Sequence, residues 1–175
     1  NITVYGGLKN QTFGASATVP INSTTLYSIT STPDTSLGYV VGAAIERPEI
    51  ALRVALTYHT KVSHDVSVVE KINGSAYPGS VLSADTPSSF NLDFQTGVAE
   101  NTLLFGSVRS VQWTQTALSP AVFSSAGVAN KPLKKFTSDT ITYNVGLGRK
   151  FSDQWSGAVT YGTEAAEGTQ GGPLG

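Results

Sequence analysis

The sequence predicts an all-β protein of antiparallel hairpins, and the architecture that fits those hairpins best is a transmembrane β-barrel. Three observations carry this reading. Apolar and polar residues alternate with a period of two in several segments, no segment has a convincing 3.6-residue apolar period, and the connections are short at one end of the strands and long at the other. A secreted β-sandwich is the rival: it also alternates, but its apolar rows face inward, and nothing in it demands a one-sided bias in loop length.

Residues 2–9 have the look of the end of a strand, too short to assign a facing. Leu37, Tyr39, Val41, Ala43 and Ile45 then form an apolar row against the small Gly38, Val40, Gly42 and Ala44. Leu52, Val54, Leu56 and Tyr58 oppose Arg53, Ala55, Thr57, His59 and Lys61. Phe90, Leu92, Phe94, Thr96 and Val98 oppose Asn91, Asp93, Gln95 and Gly97, while residues 103–113 are apolar on both faces at their start and carry Arg109 later. Ile141, Tyr143, Val145 and Leu147 oppose Thr140, Thr142, Asn144 and Gly146, and Trp155, Val159 and Tyr161 oppose Gln154, Ser156, Ala158 and Thr160. Thr, Ser, Val and Tyr outweigh the helix formers throughout.

Residues 47–50, 99–102 and 151–153 place Pro, Asn and Asp where tight turns favour them. Residues 20–36, 70–87, 119–136 and the tail from 164 are rich in Ser, Thr, Pro and Gly and read as long loops. Phe151 and Trp155 flank one short turn, as an interfacial aromatic girdle requires, and Tyr58 and Trp113 lie where a second belt could sit.

The 175 residues carry 11 Lys+Arg against 12 Asp+Glu, and 13% are charged where about 25% is usual. So few cations argue against nucleic acid as a partner. Without Cys there is no disulfide framework, thiolate metal site or thiol nucleophile. An apolar share of 39% is enough to bury surface, so disorder is not expected. No apolar run approaches the ~18 residues of a membrane-spanning helix. The chain starts at Asn1 without a signal peptide and stops in Gly-Gly-Pro-Leu-Gly, so an internal piece of a longer protein is expected.

Residues 36–58 (SLGYVVGAAIERPEIALRVALTY), 103–109 (LLFGSVR) and 140–156 (TITYNVGLGRKFSDQWS) resemble the FadL/TodX-type outer-membrane transporters of long-chain fatty acids and aromatic hydrocarbons. The likeness follows the ordered run of hairpins over nearly the whole chain. It implies a partial barrel domain spanning 1–175, about seven strands of a fourteen-stranded antiparallel barrel. The family's N-terminal hatch, its kinked early strand and its closing strands cannot be placed on these residues. The implied activity is passive diffusion of hydrophobic small molecules across the bacterial outer membrane, with lipid around the wall and no cofactor. A monomer and no enzymatic role are expected. A lipid-modifying barrel enzyme is a more remote reading.

Ligand capture needs apolar residues on otherwise polar loops. Val81, Leu82, Val122 and Phe123, with Ala121, are the candidates, although simple packing of the loops against one another is the favoured account of them. Arg53, His59, Lys61, Asp93, Gln95 and Asn144 occupy the polar rows and are expected to face the lumen, where a cation could meet a fatty carboxylate or the set could brace the wall. Arg149 lies at a short turn, where its head can snorkel to the interface, and Arg109 fits either face.

His59 and His64, five apart on what reads as one strand, would point to opposite faces and could not share a metal, so no metal site is expected. Asp65 beside His64 suggests a Ser-His-Asp arrangement, but there is no G-x-S-x-G and adjacent strand residues point apart. Gly146-Leu147-Gly148 has the look of a phosphate loop, yet it lies inside an alternating strand with no helix after it, so its glycines are expected to face a crowded lumen. The sequons at Asn22 and Asn73 are what a Ser/Thr-rich chain produces by chance.

Overall fold

A computed structural model describes residues 1–125 and 127–165. The chain is all-β and antiparallel. Its strands are β1 (Ile2–Phe13), β2 (Ser16–Asn22), β3 (Thr25–Ser31), β4 (Asp34–Arg47), β5 (Leu52–His59), β6 (Val62–Ile72), β7 (Ser75–Thr86), β8 (Ser89–Ala99), β9 (Thr102–Val111), β10 (Ala117–Leu118), β11 (Lys134–Lys135), β12 (Thr140–Lys150) and β13 (Ser156–Glu164). Seven of them form one sheet in the order β1-β4-β5-β8-β9-β12-β13; a second sheet has the order β2-β3-β6-β7, and β10 pairs with β11. Among the described residues the large sheet is open, with β1 and β13 as its edges, and no closed barrel is formed.

Within the large sheet the register lines up every apolar row. Ile2, Ile45, Val54, Phe94, Gly106, Val145 and Tyr161 lie side by side across all seven strands. The next row on the same face is Val4, Ala43, Leu56, Leu92, Val108, Tyr143 and Thr163. On the opposite face the rows are Thr3, Ala44, Ala55, Asp93, Ser107, Asn144, Gly162 and Tyr5, Gly42, Thr57, Asn91, Arg109, Thr142, Glu164. One face is therefore apolar and the other polar or small over the whole sheet, as a period of two requires.

The apolar face is uncovered. Leu56 is 51% exposed, Val145 44% and Phe90 41%, and Val4 near the β1 edge reaches 80%. Monomers in water rarely leave a contiguous apolar patch of more than a few hundred Å² open. On β4 the row runs from Leu37 to Ile45, which at ~3.3 Å per residue is about 27 Å along the strand.

Residues 103–113 also sort out. Leu104 and Val108 join the apolar face, while Leu103, Phe105 and Arg109 join the polar one. The Phe105 ring lies in the space that a side chain at Gly146 would fill, with Gly148 beside it, which explains an aromatic residue on that face. Both glycines are thus on the polar face, beneath a ring rather than around a phosphate.

Four expectations are corrected. The stretches 20–36 and 70–87 are mostly strand: β2–β3 and β6–β7 are hairpins with β-turns at residues 23–24 and at Asn73-Gly74, where φ is positive at both (49° and 86°). Their prolines mislead because Pro20 and Pro78 sit on β2 and β7, the two edge strands of that sheet, where a missing N–H is tolerated. Residues 2–9 belong to a full strand that runs on to Phe13. Strand β5 ends at His59, so Lys61 leaves the large sheet and pairs with Asp85 on β7 at 2.9 Å. Trp113 lies in a 3-10 turn (Trp113–Gln115) past the end of β9, its ring tilted against that of Phe136 with centroids 4.8 Å apart, off the apolar face. The described residues of 119–136 lack regular structure apart from β11, as expected, and the tail beyond residue 165 lies outside the described residues.

The small sheet has a core of its own. Val19, Tyr27, Ile29, Val66, Val68 and Leu82 from the four strands meet Phe123 and Leu133 from the segment that follows β10, all nearly inaccessible. The sheet sits at the end of the strands where the long connections lie. His64 of β6 reaches Asp34 at the start of β4 (Nδ1 to Oδ2, 3.1 Å), and Thr86 Oγ1 donates to Gln11 Oε1 at 3.1 Å.

Candidate functional site

The large sheet's polar face carries the concavities. One of about 940 Å³ lies at the short-turn end, lined by residues 48–51, 97–99, 101–103, 148–150 and 156–158. A second of about 570 Å³ lies over Asn91, Asp93, Arg109, Thr142 and Asn144. The third, about 510 Å³, lies at the other end, where β1, β5, β8 and β9 meet β7 and the segment after the Trp113 turn. Its size suits a small molecule.

That third cavity is amphipathic. Phe13, Val111, Trp113 and Leu118 supply apolar wall, and Lys9, His59 and Arg109 bring cationic or protonatable groups to it. The alternation places them: Lys9 has the parity of Tyr5 on β1, and His59 and Arg109 lie on adjacent polar-face rows. Asp85 also lines the cavity, but its charge is taken up by Lys61. Burial pushes the Asp85 carboxyl up, and the Ser63 hydroxyl and Lys61 ammonium outweigh it, so it is held below the usual carboxylate range. Among the described residues lining it, Lys9 and Arg109 are the cations available to a ligand anion.

Of the polar residues singled out by sequence, Arg53, His59, Asp93, Gln95 and Asn144 do lie on one face of the large sheet, while Lys61 does not. Several polar-face residues brace one another. Arg53 Nε is 3.0 Å from Glu46 Oε1, Tyr5 Oη and Thr57 Oγ1 are 2.6 Å apart, and Thr142 Oγ1 donates to Glu164 Oε2 at 2.6 Å. The four apolar candidates are scattered. Leu82 and Phe123 are spent in the small sheet's core, Val122 is half-buried beside it, and Val81 points outward from β7. Packing is what Leu82 and Phe123 do, Leu82 from strand β7 and Phe123 from the segment after β10.

Sequence reasoning missed Lys9, because residues 2–9 alone do not show which face it takes. It also missed Leu118 and Gln11, which come to the cavity from elements without a pattern.

His59 and His64 lie on different strands, the second inside the small sheet, and among the described residues no cluster of three potential metal ligands occurs. Asp65 accepts from Ser83 Oγ at 2.6 Å and faces away from His64. His64 turns to Asp34, which Ser36 also donates to, and its Nε2 is buried against no hydroxyl. No Ser-His-Asp relay is assembled there. The chain matches no family model, no curated protein and no solved structure, so the reading of the site rests on its own geometry.

Proposed function

We propose that the chain forms part of the wall and the outer vestibule of a bacterial outer-membrane channel through which long-chain fatty acids or similar hydrophobic molecules diffuse passively. One observation carries the reading: an apolar face that stays uncovered across seven registered strands, backed by a polar concave face. A bilayer covers such a face, and a strand tilted by about 40° would carry the Leu37–Ile45 row across about 20 Å of a hydrocarbon band some 25 Å tall. The open edges β1 and β13 need further strands to pair with, since unpaired backbone does not persist in lipid.

In this reading the small sheet and the segment after β10 stand on the extracellular side. A solute enters the amphipathic cavity, its alkyl part gaining about 0.8 kcal/mol per buried CH₂, and a carboxylate is met by Lys9 and Arg109. No energy source and no bond cleavage is involved, and one copy of the full-length protein makes one pore. A secreted sandwich needs a second layer over Leu56, Leu92 and Val145, and none of the described elements provides one.

The test is uptake of radiolabelled oleate by cells expressing the full-length gene, against a deletion strain. The reading expects gene-dependent uptake of intact oleate. Uptake independent of the gene would overturn it, and a hydrolytic or modified lipid product would favour an enzyme instead.

A further inference from the structure

One fully buried acid takes no part in the cavity. Glu70 lies on the core face of β6, in the row of Val66 and Val68. Its Oε2 accepts from Tyr27 Oη at 2.9 Å and from the Phe123 backbone N–H at 2.8 Å, and its Oε1 accepts from the Val122 N–H at 3.0 Å. A carboxyl group in an apolar core is costly unless its lone pairs are met. All three partners donate, an arrangement that a carboxylate anion satisfies. Burial, then the hydrogen bond to Glu70 and its charge, hold the Tyr27 phenol far above its ordinary range, so it remains a donor.

Two of the three donors belong to residues 119–133, whose described residues form no strand or helix. This strap lies over the small sheet's core, its Phe123 ring 4.7 Å from that of Tyr27. Its two ends are joined where the Leu133 N–H donates to the Leu118 carbonyl at 2.8 Å. Just before it, Thr116 Oγ1 donates to the Asp85 carbonyl at 2.9 Å, and Thr116 and Leu118 form part of the cavity wall.

We infer that Glu70 is a positioning residue that latches the 119–133 strap onto the small sheet, and that release of the latch opens the outer wall of the cavity to solutes. The latch rests on geometry alone; its effect on solutes rests on the transport reading.

These 175 residues hold no cysteine, so a spin label at Lys131→Cys in the full-length protein in liposomes, with any cysteine outside them replaced by serine, reports the strap by itself. The label is expected to be immobile in the parent. Glu70→Gln should raise its mobile fraction about tenfold or more, the scale of losing charge-assisted hydrogen bonds. Phe123→Ala, which acts from the strap side, should do the same and decides the matter if Glu70→Gln fails to fold. With a fluorescent fatty acid as probe, entry and exit rates should rise together while the dissociation constant stays within about twofold, since the released form is a common route in both directions. A change in wall shape would move the constant instead. A label as immobile in both variants as in the parent overturns the latch. A mobile label with unchanged rates overturns its effect on solutes. A parent that binds no probe removes the transport reading, and the label still decides the latch.

Discussion

The two sheets share one pattern and reach opposite ends. Val66, Val68 and Leu82 in the small sheet alternate with polar residues and vanish into a core, whereas Val41, Leu56 and Val145 in the large sheet alternate the same way and stay open. A period of two gives a strand two faces without saying which is covered. In the small sheet the choice is made by a non-strand segment that lays Phe123 and Leu133 across the apolar row. No described element does this for the large sheet, and its opposite face carries Arg53, Asp93, Arg109 and Asn144. On the transport proposal a bilayer covers the first of these faces and water meets the second.

The comparison breaks first at the small core. Tyr27→Ala should cost about 3–5 kcal/mol of the small sheet's stability, because it removes a buried ring and a Glu70 donor together. Denaturant unfolding checks this, and a cost below ~1 kcal/mol would mean that the core is not formed. Leu56→Arg on the large sheet should cost about 2–4 kcal/mol when folding is measured in liposomes, the range for a cation placed on a lipid-facing strand. In an aqueous protein the same exposed position would tolerate the change within about 0.5 kcal/mol. At the cavity, Lys9→Ala or Arg109→Ala should each raise the dissociation constant of a fatty acid about tenfold, some 1.4 kcal/mol, while leaving a neutral hydrocarbon unaffected. Titration calorimetry with both ligands separates the charge effect from a change in shape.

The smallest effect is acidic. Asp85 has a depressed pKa when folded, so the stability it contributes is present above its unfolded value near ~3.9 and is lost as pH falls through the folded one. Side chains of Lys61 and Asp85 are 44% and 29% exposed, so screening keeps the loss below about 1 kcal/mol. Stability measured at pH 6 and below pH 3 should differ less in Asp85→Asn than in the parent. An identical pH dependence in the two would remove the ion pair from the account.

Much of the large sheet was legible in the sequence, because Phe90 to Val98 and Ile141 to Leu147 alternate cleanly and each run leads into a short turn. The small sheet was not, though one signal was there. Asn73-Gly74 is the preferred two-residue hairpin turn, and Val66, Val68 and Ile72 alternate before it. Ser, Thr, Pro and Gly around it suggested a loop, since edge-strand prolines cannot be told from loop prolines without knowing which strands are edges. The role of Glu70 was out of reach, because its backbone partners are more than fifty residues away. The cavity is partly readable: the sequence marks Arg109 as a cation on a strand apolar on both faces at its start, and Lys9 needs the register of β1 against β4 to acquire a face.

Cysteine scanning along β12, from Thr140 to Leu147, tests the facing of the large sheet most directly. Each position is labelled in turn with a fluorophore in the full-length protein in liposomes, and quenching is read from lipid-borne and water-borne quenchers. Labels at Ile141, Tyr143, Val145 and Leu147 should respond to the lipid quencher, and those at Thr142, Asn144 and Gly146 should not. The opposite alternation, or equal quenching from water at every position, would contradict the account.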